Sequence, residues 1–258
     1  MSGNSAKGGT VLRTTLRAQI ADALRDEVLA GRLPPGRHFT VKEIAEQYGV
    51  SATPVREALL DLSAQGLLDV EQHRGFRVHE FSSQDFRDMV EARTLIVEGI
   101  FRCSAECAVR TSTPNALASV RRRAEEASRA ARTGDLDILI GYDLRFWREL
   151  AGLIGNPYIM DFLDRVRIQS WIFTVPRLRR LPELRGRLWH GHIELVEAVV
   201  GRDSGAVGQI ITAYNAHSLA LVDSPPRVPG WDAGRMDAGR TSTGRMDTGL
   251  GTGPVSES

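Results

Sequence analysis

The stretch YGVSATPVREALLDLSAQGLL, residues 48–68, restricts the fold of this chain more than any other segment. Gly49 and Val50 form a tight turn, and Ser51 follows in the position of a helix N-cap, where its hydroxyl can accept a free backbone N–H. The apolar residues after it recur at the spacing of one buried helix face: Val55, Ala58, Leu59 and Leu62. Gly66 marks the end of this helix. The segment therefore predicts a short helix that is entered through a tight turn and buried along one face.

Two more helices are predicted upstream. The first spans about residues 14–29, and its apolar positions repeat with helical spacing: Leu16, Ile20, Ala23, Leu24 and Val28. The turn LPPG (33–36) separates it from a second helix that begins at Thr40. Thr40 and Glu43 match the T-x-x-E capping box, in which each side chain accepts the other residue's backbone N–H. The second and third helices are thus joined by the tight turn at Gly49.

A β-hairpin is predicted after the third helix. Leu68 and Val70 alternate with polar residues, as do Phe76 and Val78, and this period of two is typical of a strand with one buried face. Gly75, between the two strands, can take the positive φ that a tight turn requires. Three helices followed by a hairpin predict a winged helix-turn-helix, which we place at residues 11–81.

No alternating pattern returns after the hairpin, and we expect an all-α bundle of about six helices over residues 82–223. The helix starts are marked by capping signals at Ser82 or Ser83, at Thr113-Pro114, at Asp135 and in the turn GNPY (155–158). The first bundle helix is expected to reach about Val109. Residues 176–187 are predicted to be a polar linker, and two helices follow at about residues 188–200 and 204–222. The chain is therefore predicted to be mainly α-helical.

Composition and charge exclude several classes of protein. The hydrophobic content of 42% is ordinary for a soluble globular protein, and a net charge of +1 favours no particular partner. The sequence contains no run of about 18 apolar residues, the length that a membrane-spanning helix needs. The N-terminus lacks the apolar segment of a secretory signal, and two cysteines are too few for a disulfide framework. We therefore expect a cytoplasmic protein without a membrane partner. Its polar ends, residues 1–10 and 224–258, are predicted to be disordered.

The winged helix-turn-helix predicts binding to double-stranded DNA. In such a motif the second helix of the pair enters the major groove with its first residues at the base edges. Burial of the apolar face leaves Thr53 and Arg56 on the outer side, and Arg56 could bind guanine bidentately, with ~1–3 kcal/mol of discrimination. Lys42 would lie over the DNA backbone, and His73 and Arg74 at the tip of the wing would reach phosphate or the minor groove.

The charge of this domain sets a condition on that hypothesis. Residues 11–80 contain nine Lys and Arg but ten Asp and Glu. Because DNA affinity depends on phosphate neutralisation, the basic residues must cluster on one face, with the acidic residues turned away from it. The alternative is a winged helix that makes protein contacts instead.

The segment LPPGRHFTVKEIAEQYGVSATPVREALLDLSAQGLLDVEQHRGFRV resembles the DNA-binding domain of GntR-type bacterial transcription regulators, and the helical domain resembles the FadR-like branch, whose bundle binds an effector and dimerises. Carried over position by position, the family's DNA contacts fall on Lys42, Ser51, Ala52, Thr53, Arg56, His73 and Gly75. The family usually has Arg where this chain has Ala52. The resemblance therefore implies a shifted or weakened operator preference rather than a loss of binding.

Many FadR-like bundles hold a divalent metal such as zinc through one Asp and three His, and the resemblance implies where these would lie. Asp143 matches the Asp, but Trp147 replaces the first His; His192 matches the second, and Tyr214 replaces the last. His217, one helical turn further on, could substitute for it. Because metals with N and O ligands usually take three or more protein groups, we expect a pocket without a metal cofactor.

Such a pocket, lined by Arg93, Trp147, His192 and Tyr214, would suit a small anion, such as a carboxylic-acid metabolite, or a ligand with a ring. The alternative is that these polar groups satisfy one another in the core of the bundle.

The function predicted from these observations is a DNA-binding transcription regulator, more often a repressor in this family. It would bind an imperfect palindromic operator as a homodimer, and an effector in the helical domain would change its DNA affinity. Two alternatives remain open at this point. A hydrolytic enzyme could use the remaining Asp and His as a metal site, although no nucleophile–base pair has a recognisable spacing. A DNA-binding protein without a ligand would have a bundle without a cavity.

Overall fold

The computed structural model describes residues 15–103 and 113–223. The elements within these residues are, in chain order, α1 (Leu16–Leu29), β1 (His38–Phe39), α2 (Val41–Tyr48), α3 (Ala52–Ala64), β2 (Leu68–Glu71), β3 (Gly75–Val78), α4 (Ser83–Cys103), α5 (Pro114–Thr133), α6 (Leu136–Gly152), α7 (Pro157–Leu178), α8 (His192–Val200) and α9 (Ser204–Asp223). The predicted disordered ends, and the continuation of the first bundle helix to Val109, lie outside the described residues. Within them, three helices and a wing precede six helices, as predicted.

The local signals at α2 and α3 are confirmed, with one exception. Thr40 and Glu43 form the predicted capping box: the Glu43 carboxylate accepts the Thr40 backbone N–H at 2.7 Å, and the Thr40 hydroxyl accepts that of Glu43 at 3.2 Å. Gly49 then ends α2 in the left-handed region, with φ of 63°. Ser51 occupies the N-cap position of α3, but the prediction that it caps the helix is wrong, because its side chain makes no capping hydrogen bond. The predicted buried face of α3 is fully buried.

The wing contains one strand that the sequence did not predict. β3 lies in the middle of a three-stranded antiparallel sheet, paired with β2 on one side and with the two-residue β1 on the other. Two residues are too few to show an alternating pattern, so β1 could not be recognised locally. Gly75 has the predicted positive φ, 96°, and a Cβ on it would lie 2.5 Å from the carbonyl oxygen of Phe39. Glycine is therefore required here by the turn and by the close approach of β1.

The bundle helices begin at the predicted caps and differ from prediction at two ends. The side chains of Thr113, Asp135 and Asn156 each accept a backbone N–H from the first turn of the helix that follows. α7 continues to Leu178 with Pro176 inside it, so the predicted linker begins later. α8 begins at His192 rather than near residue 188. None of the helices in the described part of the chain is long and apolar enough to cross a membrane.

α7 connects the winged helix to the bundle. Residues of α1 and α3 belong to the same buried apolar cluster as Ile168, Ile172 and Val175 of α7. Gln169, on the same helix, donates from Nε2 to the backbone carbonyl of Gln65 at 2.9 Å, one residue after the end of α3. The C-terminal end of α3 is therefore held directly by a helix of the bundle.

Candidate functional site

The N-terminus of α3, the helix α2 and the tip of the wing surround one shallow, open groove. The predicted DNA contacts that line it are Lys42, Ala52, Arg56, His73, Arg74 and Gly75. Ser51 and Thr53 are exposed at the start of α3 but do not line the groove. The structure thus brings together six residues from three separate segments of the chain that the sequence assigned to one interface.

Several acidic residues of the winged helix are neutralised outside this groove, whereas Glu46 lines it. Arg77, on β3, forms ion pairs with Asp69 and Glu71, each at 3.0 Å. Arg17, on α1, binds the Asp61 carboxylate through two guanidinium nitrogens. These pairs explain how a domain with slightly more acidic than basic residues can still have a basic face.

The basic side chains that line the groove form fewer and weaker ion pairs. Within the described ranges, neither Arg56 nor Arg74 forms an ion pair, and both side chains are exposed. Lys42 lies 3.8 Å from Glu46, but with side chains 84% and 67% exposed this pair contributes little. Unpaired basic side chains are therefore concentrated at the groove, as binding to DNA phosphates requires.

In the helical domain, Asp143 is the centre of a buried polar cluster. Its carboxylate accepts hydrogen bonds from the indole N–H of Trp147 at 2.9 Å and from that of Trp171 at 2.7 Å. A third comes from Nε2 of His192 at 3.0 Å. Burial by itself raises the pKa of Asp143. The hydrogen bond from His192 and the charge of Arg167 lower the pKa by more than burial raises it, so the pKa lies below its ordinary value.

Two buried arginines lie beside this cluster. Arg93 and Arg167 are each 4% exposed, and their guanidinium carbons lie 4.8 and 5.0 Å from the ring centroid of Tyr214. Arg167 donates to the Tyr214 hydroxyl and stacks on Trp147, with 4.2 Å to that ring. Arg93 donates to the side-chain oxygen of Asn215 at 2.6 Å. Burial lowers the pKa of Arg93 to about 10, so it remains a cation at neutral pH.

These side chains separate two cavities. The first is bounded by Arg93, Trp147, Arg167 and Tyr214 and is otherwise mainly apolar. The second shares both arginines and Tyr214, and includes Asp143 and His217. Five of the six residues predicted to bind ligand therefore lie at one or both cavities.

Two histidines complete the predicted set. His192 lines neither cavity but holds Asp143, while its Nδ1 is buried and has no partner among the described groups. Burial lowers the pKa of His217, which favours its neutral form, and its Nε2 is likewise buried and unpaired. His192 is thus a support for the carboxylate rather than part of a cavity wall.

The residues present do not fit the metal site that the family resemblance implies. The Asp143 oxygens, which would bind the metal, already accept three N–H donors. No three His, Cys, Asp or Glu side chains within the described ranges come together as a candidate metal-binding group. Trp147 donates its indole N–H to the carboxylate from the position where a ligand histidine was expected.

Arg167 and Trp171 belong to the site and were not predicted from the sequence. The available signal was the charged Arg167 within a run of α7 whose neighbours Val166 and Ile168 are buried. Spacing along one helix does not reveal which helix lies opposite, so the partnership with Arg93 could not be inferred.

Comparison with known proteins agrees with both halves of the fold. Residues 16–78 match the family described as "Bacterial regulatory proteins, gntR family", and residues 88–217 match the FCD domain. The chain is 33% identical over 219 residues, 82% of its length and 94% of the relative's, to the "Probable D-xylose utilization operon transcriptional repressor" of Paenarthrobacter nicotinovorans. It is 25% identical over 220 residues to the HTH-type transcriptional regulator McbR of Escherichia coli K12, covering 83% of this chain and 96% of McbR. The solved structure of E. coli McbR/YncC shares the fold, with a TM-score of 0.66 and 23% identity over 81% of this chain and 97% of that one.

Proposed function

Because the chain belongs to the gntR family of bacterial regulatory proteins and carries an FCD domain, we propose that it represses transcription as a homodimer on an imperfect palindromic operator. A small anionic metabolite bound in its helical domain changes its affinity for DNA. The observation that carries the proposal is the coexistence of a basic groove at the N-terminus of α3 and a cavity with two buried cations, in domains that α7 connects.

DNA contacts are assigned by position around the groove. Arg56 reads a base edge in the major groove, and Thr53 and Ala52 lie beside it at the start of α3. Lys42 and Ser51 contact the backbone, while His73, Arg74 and Gly75 bring the tip of the wing to phosphate or the minor groove. A symmetric dimer places two such grooves about one helical turn of DNA apart, ~34–36 Å.

Regulation requires that the effector bind two arrangements of the protein unequally. α7 provides a physical connection, because Arg167 and Trp171 on this helix contact the cluster at the cavities, and Gln169 between them contacts Gln65 at the end of α3. A ligand that shifts α7 therefore shifts the helix that reads DNA.

The two alternative functions are less well supported. A hydrolytic enzyme needs a metal or nucleophile constellation, whereas the Asp143 carboxylate already accepts three N–H donors. A DNA-binding protein without a ligand predicts a bundle without cavities, whereas cavities lie on both sides of the arginine cluster. The relatives, being transcription regulators, also favour a cytoplasmic protein without enzymatic activity.

The test is the variant Arg56→Ala on an operator identified by genomic footprinting. We expect specific affinity to fall about 10- to 100-fold at fixed salt, because one bidentate base contact is lost. The matched control is Arg129→Ala, which removes an exposed arginine on α5 that pairs with Glu126 of the same helix. If Arg56→Ala keeps wild-type operator affinity, α3 is not the reading helix.

A further inference from the structure

The first cavity has the composition of a site for an amphiphilic anion. It lies between α4, α6, α7, α8 and α9 and has a volume of about 80 Å³. Its charged end is formed by Arg93 and Arg167 together with Tyr214. The walls leading away from that end are apolar: Val97, Leu150, Leu153, Val199, Val207 and Ile211.

The guanidinium groups of Arg93 and Arg167 have no carboxylate paired with them among the described side chains. Among the described side chains, neither Arg93 nor Arg167 forms an ion pair, and their hydrogen-bond partners are the amide of Asn215 and the phenol of Tyr214 rather than carboxylates. Nε of Arg93 is buried and has no hydrogen-bond partner within residues 15–103 and 113–223. A buried cation without a matching anion is costly, and a ligand that supplies one negative charge removes that cost.

Asp143 does not supply the missing charge in full. It is a single carboxylate beside two cations, and its oxygens already accept hydrogen bonds from two indoles and one imidazole. The other acid at this cavity, Asp164, is paired with Arg148 at 2.9 Å near the surface. One of the two positive charges at this end of the cavity is therefore left without a nearby negative charge.

We infer that this cavity binds a small monocarboxylate with an apolar body, whose carboxylate lies against Arg93 and Arg167 and whose hydrocarbon part extends toward Val199 and Val207. The inference rests on the proposed function, of which it specifies the effector's chemistry. A second charge on the ligand would be buried against apolar walls, and a neutral ligand would leave the cations uncompensated. The volume is roughly half that of a cavity of about 150 Å³ that takes up benzene, so the apolar body of the ligand must be small, and hexanoate and benzoate mark the upper end of the size that we expect.

The experiment measures thermal unfolding of the full chain with four probes: hexanoate, benzoate, 1-hexanol and succinate. We expect hexanoate or benzoate to raise Tm by about 3–6 °C once its free concentration is about ten times Kd. 1-Hexanol has the tail without the charge, and succinate has two charges without the tail, so both should shift Tm by less than 1 °C, about a third of the smallest expected carboxylate shift. An equal shift with either of them, or no shift with either monocarboxylate, overturns the inference.

Arg167→Met separates ligand binding from folding. It keeps the length of the side chain and removes the buried charge, so the variant should lose the Tm shift with carboxylate, measured relative to its own Tm without ligand. Arg145→Met, on the exposed side of α6, is the matched control and should keep the full shift. A full carboxylate shift in Arg167→Met assigns the binding elsewhere and overturns the inference.

Failure of the carboxylate site can be told apart from failure of the proposed DNA-binding function. Carboxylate binding that leaves operator affinity unchanged supports this site and refutes its regulatory role. Absence of carboxylate binding refutes this site, and leaves the DNA contacts tested by Arg56→Ala intact.

Discussion

Replacement of Asp143 by Asn tests whether this carboxylate is the electrostatic centre of the helical domain. The substitution preserves shape but removes the charge and converts one acceptor oxygen to an N–H donor. In one orientation the new amide faces the indole N–H of Trp171, now 2.7 Å from a carboxylate oxygen. In the other orientation it faces Trp147 and His192. Either way at least one buried donor loses its acceptor.

The size of the effect can be worked from these contacts. Leaving a buried donor unpaired costs about 1–3 kcal/mol, and removing one partner of a buried charged cluster costs about 3–5 kcal/mol. The two figures overlap in what they count, so we expect the free energy of unfolding to fall by about 3 kcal/mol. For 150–250 folded residues this corresponds to a decrease in Tm of about 6–12 °C.

The assay is urea and thermal unfolding followed by circular dichroism, with Asp161→Asn as the control. Asp161 is an exposed residue of α7, and its replacement should change the free energy of unfolding by less than about 0.5 kcal/mol. A loss below about 1 kcal/mol in Asp143→Asn would refute the electrostatic role assigned to this carboxylate.

The dependence on pH gives a second check. Because the folded pKa of Asp143 is lowered, the unfolded chain binds more protons, and the stability from this group is present above the ordinary Asp pKa. It is lost as the pH falls from about 4 through the lower folded pKa. Wild-type protein should therefore lose more stability than Asp143→Asn over that acidic range, and parallel losses would contradict the lowered pKa.

Three further predictions concern the groove, the wing and the connection between domains. Ala52→Arg adds a cation to the groove and should raise DNA affinity or change operator preference in a binding-site selection; no change in either would mean that this position does not face DNA. Gly75→Ala should lower the free energy of unfolding by about 2 kcal/mol in urea titrations, because a Cβ meets a carbonyl of β1 at positive φ, whereas Gly208→Ala, with open space around it, should not destabilise. Gln169→Ala removes the hydrogen bond to Gln65 and should leave carboxylate binding intact, while reducing the change in operator affinity that the carboxylate causes. An undiminished change in operator affinity would mean that this contact does not couple the two domains.

Local sequence was sufficient for most elements of the fold. The buried face of α3, the capping box of α2 and the helix starts after Thr113, Asp135 and Asn156 depend on side chains within one or two turns of each other. The same is true of Asp143 and Trp147, whose spacing places them on one helix face, where the indole binds the carboxylate. Such interactions are set by helix geometry and do not depend on the rest of the molecule.

Local signals failed where a segment owes its structure to a distant partner. β1 is two residues long and exists because β3 provides its hydrogen bonds. Ser51 is a different kind of failure: it has the right residue type for a cap, its hydroxyl makes no capping hydrogen bond, and nothing in the structure explains why.

The sequence by itself thus determined a winged helix-turn-helix followed by helices, because periodicity and capping are local properties of the chain. The tertiary structure decided the chemistry of the effector site. Arg93 on α4 and Arg167 on α7 meet at Tyr214 on α9, and Trp171, also on α7, reaches Asp143 on α6. Contacts between helices depend on how whole apolar faces pack, and no spacing within one helix specifies which side chains of another will lie opposite.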